Sequence, residues 1–221
     1  GDNMTALVSV GVNGSKIFTT ACVYGGPSDT LDDCGNVNAN IDNAGVTTMA
    51  EYDFDNGLTA AIGYAGNEKG IMTKEYVDAY AANVAYTADN YGVSLTYGVV
   101  ESGTEENTYT ALNAFYVLDN GMSISAGYEI GDIGGAAATA DESINYFVGV
   151  NGELGQGELG AALGTYSGQI ENQDEELMYE AYYSYPLYDG VTITPLVFIK
   201  ENSEAGTPDQ TGVMVKTTFK F

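Results

Sequence analysis

The sequence contains no arginine, no histidine and no tryptophan, and only six lysines accompany its 31 aspartate and glutamate residues. The resulting formal net charge is −25. This charge argues against nucleic-acid binding, which needs basic residues to neutralise phosphates. Histidine, the commonest general base, is missing and no GxSxG nucleophile motif occurs, so we expect no enzymatic activity.

Long hydrophobic runs are also missing. No apolar segment approaches the roughly 20 residues that a membrane-spanning helix needs. A chain of this kind can cross a bilayer only as a closed β-barrel. Lipid offers no hydrogen-bond partner to backbone N–H and C=O groups, and a closed barrel pairs all of them. The first residues lack the basic region of a secretory signal, so we expect a mature chain or a fragment of a longer precursor. A length of 221 residues suits a single all-β domain over residues 1–221.

Cysteine is scarce as well. Cys22 and Cys34 are the only two, with eleven residues between them in a stretch rich in Gly, Asp and Asn. We predict a disulfide that closes a long loop at about residues 13–45, with two reduced thiols as the alternative. A structural metal site would need histidine or further cysteines.

What the sequence does contain is alternation of apolar and polar residues, with 29 glycines and 18 tyrosines. One face of the last predicted strand consists of Val213, Val215, Thr217, Phe219 and Phe221. Across the chain, the faces opposite the apolar rows hold mostly Ser, Thr, Gly, Ala and Asn, whereas a sheet facing bulk water would carry Lys and Glu. The pattern therefore favours a β-barrel with an apolar outside and a hydrated lumen over a soluble sandwich.

Tight turns alternate with longer polar segments, at a spacing of about 33 residues from one tight turn to the next. The predicted tight turns are at 55–57, 89–92, 119–121, 155–157 and 188–190. The predicted longer segments are 66–75, 101–107, 131–141, 168–174 and 201–210. Short turns at one end and long loops at the other are typical of outer-membrane barrels.

The pattern predicts a transmembrane antiparallel up-and-down β-barrel of about twelve strands. The expected strands span residues 4–12, 46–54, 58–65, 76–88, 91–100, 108–118, 122–130, 142–153, 158–167, 175–187, 191–200 and 211–221, with a further local strand at 16–23. An even number places both termini at the end with the tight turns. Pro195 falls within a strand and cannot donate to the ladder, so we expect a bulge or an unpaired position there.

Three stretches also resemble a known family: MYEAYYSYPLYDGVTITPLVFIKENSEAGTPDQTGVMVKTTFKF from Met178, DIGGAAA from Asp132 and NYFVGV from Asn145. They are similar to outer-membrane porins of cyanobacteria, in particular marine picocyanobacteria, over roughly residues 45–221. The resemblance implies a passive channel, often assigned to carbohydrate or iron uptake. It also implies an aromatic C-terminal signal for the barrel-assembly machinery, here Phe219 and Phe221. Family members usually begin with an S-layer-homology domain that has no counterpart here, so the chain could be the C-terminal part of a larger barrel.

The expected function is passive diffusion of small hydrophilic solutes and ions across the cell outer membrane, with a preference for cations. The acids expected to face the lumen are Glu51, Asp53, Glu129, Glu158 and Glu180, opposed near the periplasmic end by Lys216 and Lys220. The expected partners are outer-membrane lipid, the permeating solutes, the assembly machinery and, in a homotrimer, further copies of the chain. The loop of Cys22 and Cys34 would constrict the pore, cover its mouth, or simply lie outside.

No cofactor is expected. Paired carboxylates at 32–33, 105–106 and 174–176 lie in predicted loops, where they are either solvated or bind Ca²⁺ or Mg²⁺. Two other functions also fit the sequence. One is an acidic extracellular β-sandwich that binds a partner or glycan, and the other is a structural subunit of a surface array.

Overall fold

The computed structural model describes residues 3–11, 45–67, 78–135, 140–165, 169–204 and 206–220. Its strands are β1 (Met4–Gly11), β2 (Gly45–Asp53), β3 (Leu58–Asn67), β4 (Asp78–Thr87), β5 (Tyr91–Ser102), β6 (Glu105–Val117), β7 (Ser123–Asp132), β8 (Glu142–Leu154), β9 (Gly157–Thr165), β10 (Gln169–Ile170), β11 (Leu177–Tyr188), β12 (Val191–Lys200) and β13 (Gln210–Phe219). Within these residues, no helix is long and apolar enough to cross a membrane.

Each long strand pairs antiparallel with the next long strand in the chain, and the short β10 pairs with β8. The result is one up-and-down sheet, which confirms the predicted all-β class, with twelve strands on the main path. The pairing order begins at β1 and ends at β13, and the described residues include no pairing between these two strands.

The connections alternate in length as predicted, except between β5 and β6. One end of the sheet, here called the turn end, has short connections at 54–57, 88–90, 118–122, 155–156 and 189–190. Gly57 shows why the sequence turns there: its φ is 84°, and a Cβ at this position would lie 2.2 Å from the Thr87 carbonyl oxygen. The opposite end, here called the loop end, has longer connections at 133–141 and 201–209.

The prediction of one long loop is wrong. Residues 101–107 were predicted to form a long connection, but β5 continues to Ser102 and β6 begins at Glu105. Val100 pairs with Asn107 and Glu101 with Glu106, so the ladder runs up to a two-residue turn. Polar residues at the tip of a hairpin can stay in the strand because they are solvated there. Polarity alone therefore did not mark the end of the ladder.

Pro195 interrupts the ladder as expected. Tyr182 pairs with Leu196 and Tyr185 pairs with Ile193, while Pro195 has no pairing partner on β11. On its other side Pro195 pairs with Val215 of β13. The missing N–H of proline accounts for the gap. A register shift occurs further along β11, between Pro186 and Tyr188.

The two faces of the sheet differ in burial. On β7, Ser125 and Glu129 are buried, while Ile124, Tyr128 and Ile130 between and beside them are exposed. A single curved sheet buries side chains mainly on its concave face, where curvature brings neighbouring side chains together. We therefore call the buried side the concave face and the other the convex face. Large apolar groups cover the convex face, whereas the concave face holds small and polar groups together with some buried apolar ones such as Phe147 and Leu196, so the polarity is largely the reverse of a soluble domain.

Candidate functional site

The convex face is an apolar surface. Its mid-strand side chains are large, aliphatic and exposed, and they include Ile62, Val84, Leu95, Leu112, Ile124, Val148, Leu163, Val197 and Val215. Their exposed fractions run from 38% for Leu163 to 65% for Ile62. Soluble monomers rarely expose a contiguous apolar patch of this kind. The convex face therefore requires an apolar surrounding.

Aromatic side chains border this apolar surface at both ends. Near the turn end they are Tyr52, Phe54, Tyr86, Tyr91, Tyr116, Tyr188 and Phe219. Towards the loop end they are Tyr64, Tyr80, Tyr128, Tyr146 and Tyr179. Some rings touch, with centroids 4.8 Å apart for Tyr52 and Phe54 and 5.2 Å apart for Tyr64 and Tyr80. Two aromatic rows around an apolar band are typical of barrels that span a bilayer.

The concave face carries a hydrogen-bonded carboxylate on β7. Glu129 is 3% exposed and lies in register with Ala111 of β6 and Asn145 of β8. The Asn145 Nδ2 donates to Glu129 Oε1 at 3.1 Å, and the Thr165 Oγ1 donates to Asn145 Oδ1 at 3.2 Å. This chain of hydrogen bonds fixes the position of the Glu129 carboxylate on the concave face, which would form the wall of a barrel.

A second fixed carboxylate lies near the turn end. Glu158 follows the first residue of β9, and its Oε1 accepts from the Tyr182 hydroxyl at 2.8 Å and from Asn151 Nδ2 at 3.2 Å. The Tyr182 ring lies directly over Gly160, where a Cβ would be only 2.2 Å from a ring atom. A glycine on β9 thus makes room for the tyrosine that holds the acid.

A third carboxylate, Glu180, lies on β11. It is 4% exposed and pairs with Ala162 of β9 and Phe198 of β12. Nearby, Phe147 and Met178 are buried together and pack against Ala162 and Phe198. The concave face is therefore mixed at this level, with an apolar cluster beside an acid.

The buried concave residues of β3–β6 are neutral by contrast. Asn83 and Thr96 are buried there, and Asn83 Nδ2 donates to Thr96 Oγ1 at 2.7 Å. Their neighbours on this face include Ala61, Ala85, Ser94 and Ala111. The carboxylates described above all lie on β7–β11, which we call the acidic half of the wall. In the other half, acids on the concave face lie nearer the ends of the strands, as with Glu51 and Asp53 of β2, which are in register with Ala61 and Thr59 of β3.

The remaining predicted site residues lie towards the turn end. Glu51 is half-buried on β2, and Asp53 is exposed at the end of that strand, where its Oδ1 accepts from the Asp55 N–H at 2.8 Å. Lys216 is exposed on β13 in register with Thr194, and the N–H of Lys220 donates to the Gly190 carbonyl at 2.7 Å.

Phe219, one of the two aromatic residues of the predicted C-terminal signal, ends β13 and is exposed. Cys22, Cys34 and Phe221, together with the local strand expected at 16–23, lie outside the described residues. The disulfide and the C-terminal assembly signal therefore stay predictions.

The acids of the loop end are bonded to neighbouring chain segments. The Tyr146 hydroxyl donates to Glu175 at 2.6 Å, and the Ser203 N–H and hydroxyl donate to Glu176 at 3.0 and 2.7 Å. The backbone hydrogen bond and then the hydroxyl of Ser203 lower the pKa of Glu176 below its usual value. In the part of the chain that the structure describes, no group of three or more acidic side chains is arranged to hold a metal ion.

Several residues of the concave face were not singled out from the sequence. Asn145, Tyr182 and Lys200 all occupy concave positions, and their signal was present in the alternation of β8, β11 and β12. What the sequence did not reveal is which acid each residue meets, because that depends on the register between strands.

The fold resembles solved porins. Mutants of Rhodopseudomonas blastica porin match the chain, one with a TM-score of 0.62 over 99% of this chain and 74% of its own length, at 13% identity. Another has a TM-score of 0.56 over 80% of this chain and 55% of its own, also at 13% identity. A structure titled "Asymmetric conductivity of engineered proteins" matches with a TM-score of 0.55 and 15% identity, over 80% of this chain and 55% of its own.

The chain spans 55% to 74% of the length of these porin chains. At such identities the likeness shows a porin-like barrel fold. No protein-family model and no curated protein sequence matches the chain.

Proposed function

We propose that this chain forms the wall of an outer-membrane porin, through which small hydrophilic solutes and ions diffuse passively. The observation that supports this most strongly is the reversed polarity of the sheet. An apolar convex face with aromatic borders suits lipid, and a concave face where Ser, Asn, Thr and Glu lie among small residues suits water. The fold shared with porins is consistent with this function.

Polar atoms on the concave face also support a hydrated lumen. Among the described residues, the hydroxyls of Ser125 and Ser143 and the Oδ1 of Asn83 are buried without a hydrogen-bond partner in the protein. Such atoms are almost always hydrogen-bonded, and water is the partner that a pore supplies.

The proposed channel prefers cations. Glu129, Glu158 and Glu180 lie on the concave face, and their half of the wall has no arginine to offset them because the chain contains none. Carboxylates beside a narrow passage raise the local concentration of cations and repel anions.

The location and partners belong to the same proposal. Outer-membrane lipid would cover the convex face, and the barrel-assembly machinery would insert the chain. The homotrimer and the similarity to cyanobacterial porins remain predictions. In lipid the edges at β1 and β13 must be paired. Either these two strands meet, which an even number of antiparallel strands allows, or further strands of a larger barrel intervene.

Extraction, electrophoresis and solute flux test the proposal together. We expect the protein to need detergent for extraction and to migrate differently on gels before and after boiling. Reconstituted into liposomes, it should let small neutral sugars enter, as measured by swelling. A protein soluble without detergent, or a folded protein with no solute flux, would contradict the channel and favour the sandwich or the surface array.

A further inference from the structure

Lys200 brings a positive charge to the acidic half of the wall. It is the last residue of β12 and pairs with Met178, which is buried on the concave face. Its Nζ lies 5.8 Å from the centroid of the Phe198 ring. An ammonium within about 6 Å of a ring centroid is attracted to the face of the ring. Lys216, by comparison, lies on the turn-end half of β13.

The ring beneath this ammonium is held in place. Phe198 packs against the buried pair Phe147 and Met178. On the other side it lies over Gly212 of β13, where a Cβ would be 2.2 Å from a ring atom. Contacts with both neighbouring strands therefore fix the orientation of the ring.

The acid nearest to this ring in the sheet register is Glu180. It pairs directly with Phe198, so it is the diagonal neighbour of Lys200. Diagonal neighbours lie about 7–8 Å apart, within reach of long side chains. Glu180 is three residues from the start of β11 and Glu129 is three residues from the end of β7, so both acids lie at a similar distance from the loop end.

A carboxylate beside an aromatic face favours an ammonium group or another monovalent cation, whether tethered or free. We propose that Lys200 is a tethered counter-charge: its ammonium, which lies over Phe198 on the residue diagonal to Glu180, occupies the place that a permeating cation would take and so limits the cation preference of the pore. This inference rests on the proposed channel function and identifies a specificity-determining residue within it.

The test replaces the charge and compares a charge-matched control. K200Q removes one positive charge from the acidic wall. N120D changes the net charge by the same amount at the exposed β6–β7 turn, where Asn120 Oδ1 accepts from the Met122 N–H at 3.1 Å, a role that aspartate can keep. The readout is the K⁺/Cl⁻ permeability ratio from reversal potentials under KCl gradients in planar bilayers.

K200Q should raise this ratio by about threefold near 0.1 M salt, and the increase should fade towards 1 M, where the Debye length is about 3 Å. N120D should leave the ratio close to that of the wild type. A ratio for K200Q that is no higher than for N120D would overturn the proposal.

F198L provides a second variant should K200Q fail to fold. It keeps an apolar side chain but removes the aromatic face that localises the ammonium, so the ratio should rise by a smaller factor than for K200Q. A ratio equal to the wild type would overturn the proposal. Folded wild-type protein without conductance would overturn the channel itself, whereas conducting variants with unchanged ratios would overturn only the role of Lys200.

Discussion

At the scale of single residues, the acids of the concave face are positioned by their neighbours. Glu129 accepts from Asn145 and Glu158 accepts from Tyr182 and Asn151. Glu105, in contrast, is an exposed residue at the tip of the β5–β6 hairpin. Acids fixed on the wall should influence permeating ions more than an acid of similar charge at a hairpin tip.

This difference leads to a prediction about selectivity. Glu129→Gln and Glu180→Gln should each lower the K⁺/Cl⁻ permeability ratio by about twofold or more near 0.1 M KCl, because a charge close to the passage is screened least. Glu105→Gln is the matched control and should have a smaller effect. Reversal potentials give the permeability ratio of each variant. Equal effects of all three substitutions would contradict the assignment of Glu129 and Glu180 to the lining of the passage.

Glycines of the concave face make room for aromatic rings. A Cβ at Gly127 would lie 2.3 Å from both the Asn113 Oδ1 and a ring atom of Phe147. Gly127→Ala should therefore destabilise the folded barrel by about 1–3 kcal/mol through overpacking. At Gly63 the nearest atom to a Cβ is 3.8 Å away, so Gly63→Ala should be neutral or slightly stabilising.

The temperature or urea concentration at which the compact gel band is lost measures the stability of both glycine variants. If Gly127→Ala unfolds together with the wild type, Phe147 does not pack on Gly127 as described.

At the scale of strands and turns, most of the sheet could be predicted from the sequence. Period-two alternation located the twelve long strands, since one face had to be apolar along its whole length. The two-residue strand β10 was missed because a segment of two residues has no period. The continued pairing of Glu101 with Glu106 was missed because polar residues are equally compatible with a loop and with a solvated strand tip.

The candidate site was less predictable than the strands. Alternation assigned Glu129, Glu158 and Glu180 to one face, but their partners depend on register. Asn145 meets Glu129 across a strand pair, whereas Tyr182 reaches Glu158 diagonally. Lys200 shows the same limit. Its contact with Phe198 depends on the orientation of the Phe198 ring, which is set by packing on Gly212 and on neighbouring β11 residues.

Orientation in the membrane gives a prediction at this scale. In a background with Cys22→Ser and Cys34→Ser, a cysteine at Glu105, at the loop end, should react with an impermeant thiol reagent on intact cells. A cysteine at Asn120 or Asn56, at the turn end, should not react, since short turns face the periplasm in such barrels. Lysed cells serve as the control in which all three positions react. Equal labelling on intact cells would rule out this orientation.

The Glu176–Ser203 contact gives a pH prediction, because it joins the connection before β11 to the one before β13. The pKa of Glu176 is lowered in the folded state, so its stabilisation is present above the ordinary glutamate pKa of about 4.3 and is lost as the pH falls through the lower folded value. The effect on stability is small, since the carboxylate is largely in solvent.

Ser203→Ala removes one of the two donors to Glu176 and should raise this pKa towards its usual value. Carbon NMR titration of a labelled Glu176 measures the change, with Glu105 as an unaffected control. An unchanged Glu176 titration in Ser203→Ala would show that the hydroxyl contact is not formed.

At the scale of the whole molecule, charge and shape act together. Net charge is −25, and among the described residues the acids of the concave face, such as Glu129 and Glu180, lie where ions of the proposed channel would pass. In the proposed porin, the apolar convex face and its aromatic borders would hold that wall in lipid. In that porin, the pairing of the edges at β1 and β13 would set the width of the pore, and the width would set how strongly fixed charges select between ions.

The most direct test is the reversal potential of the wild-type protein in a planar bilayer under a KCl gradient centred near 0.1 M. A channel lined by these acids should conduct and show a reversal potential of the sign for K⁺ preference, weakening as the salt approaches 1 M. Anion preference at low salt would contradict the proposed lining. Folded protein that inserts without conducting would contradict the channel.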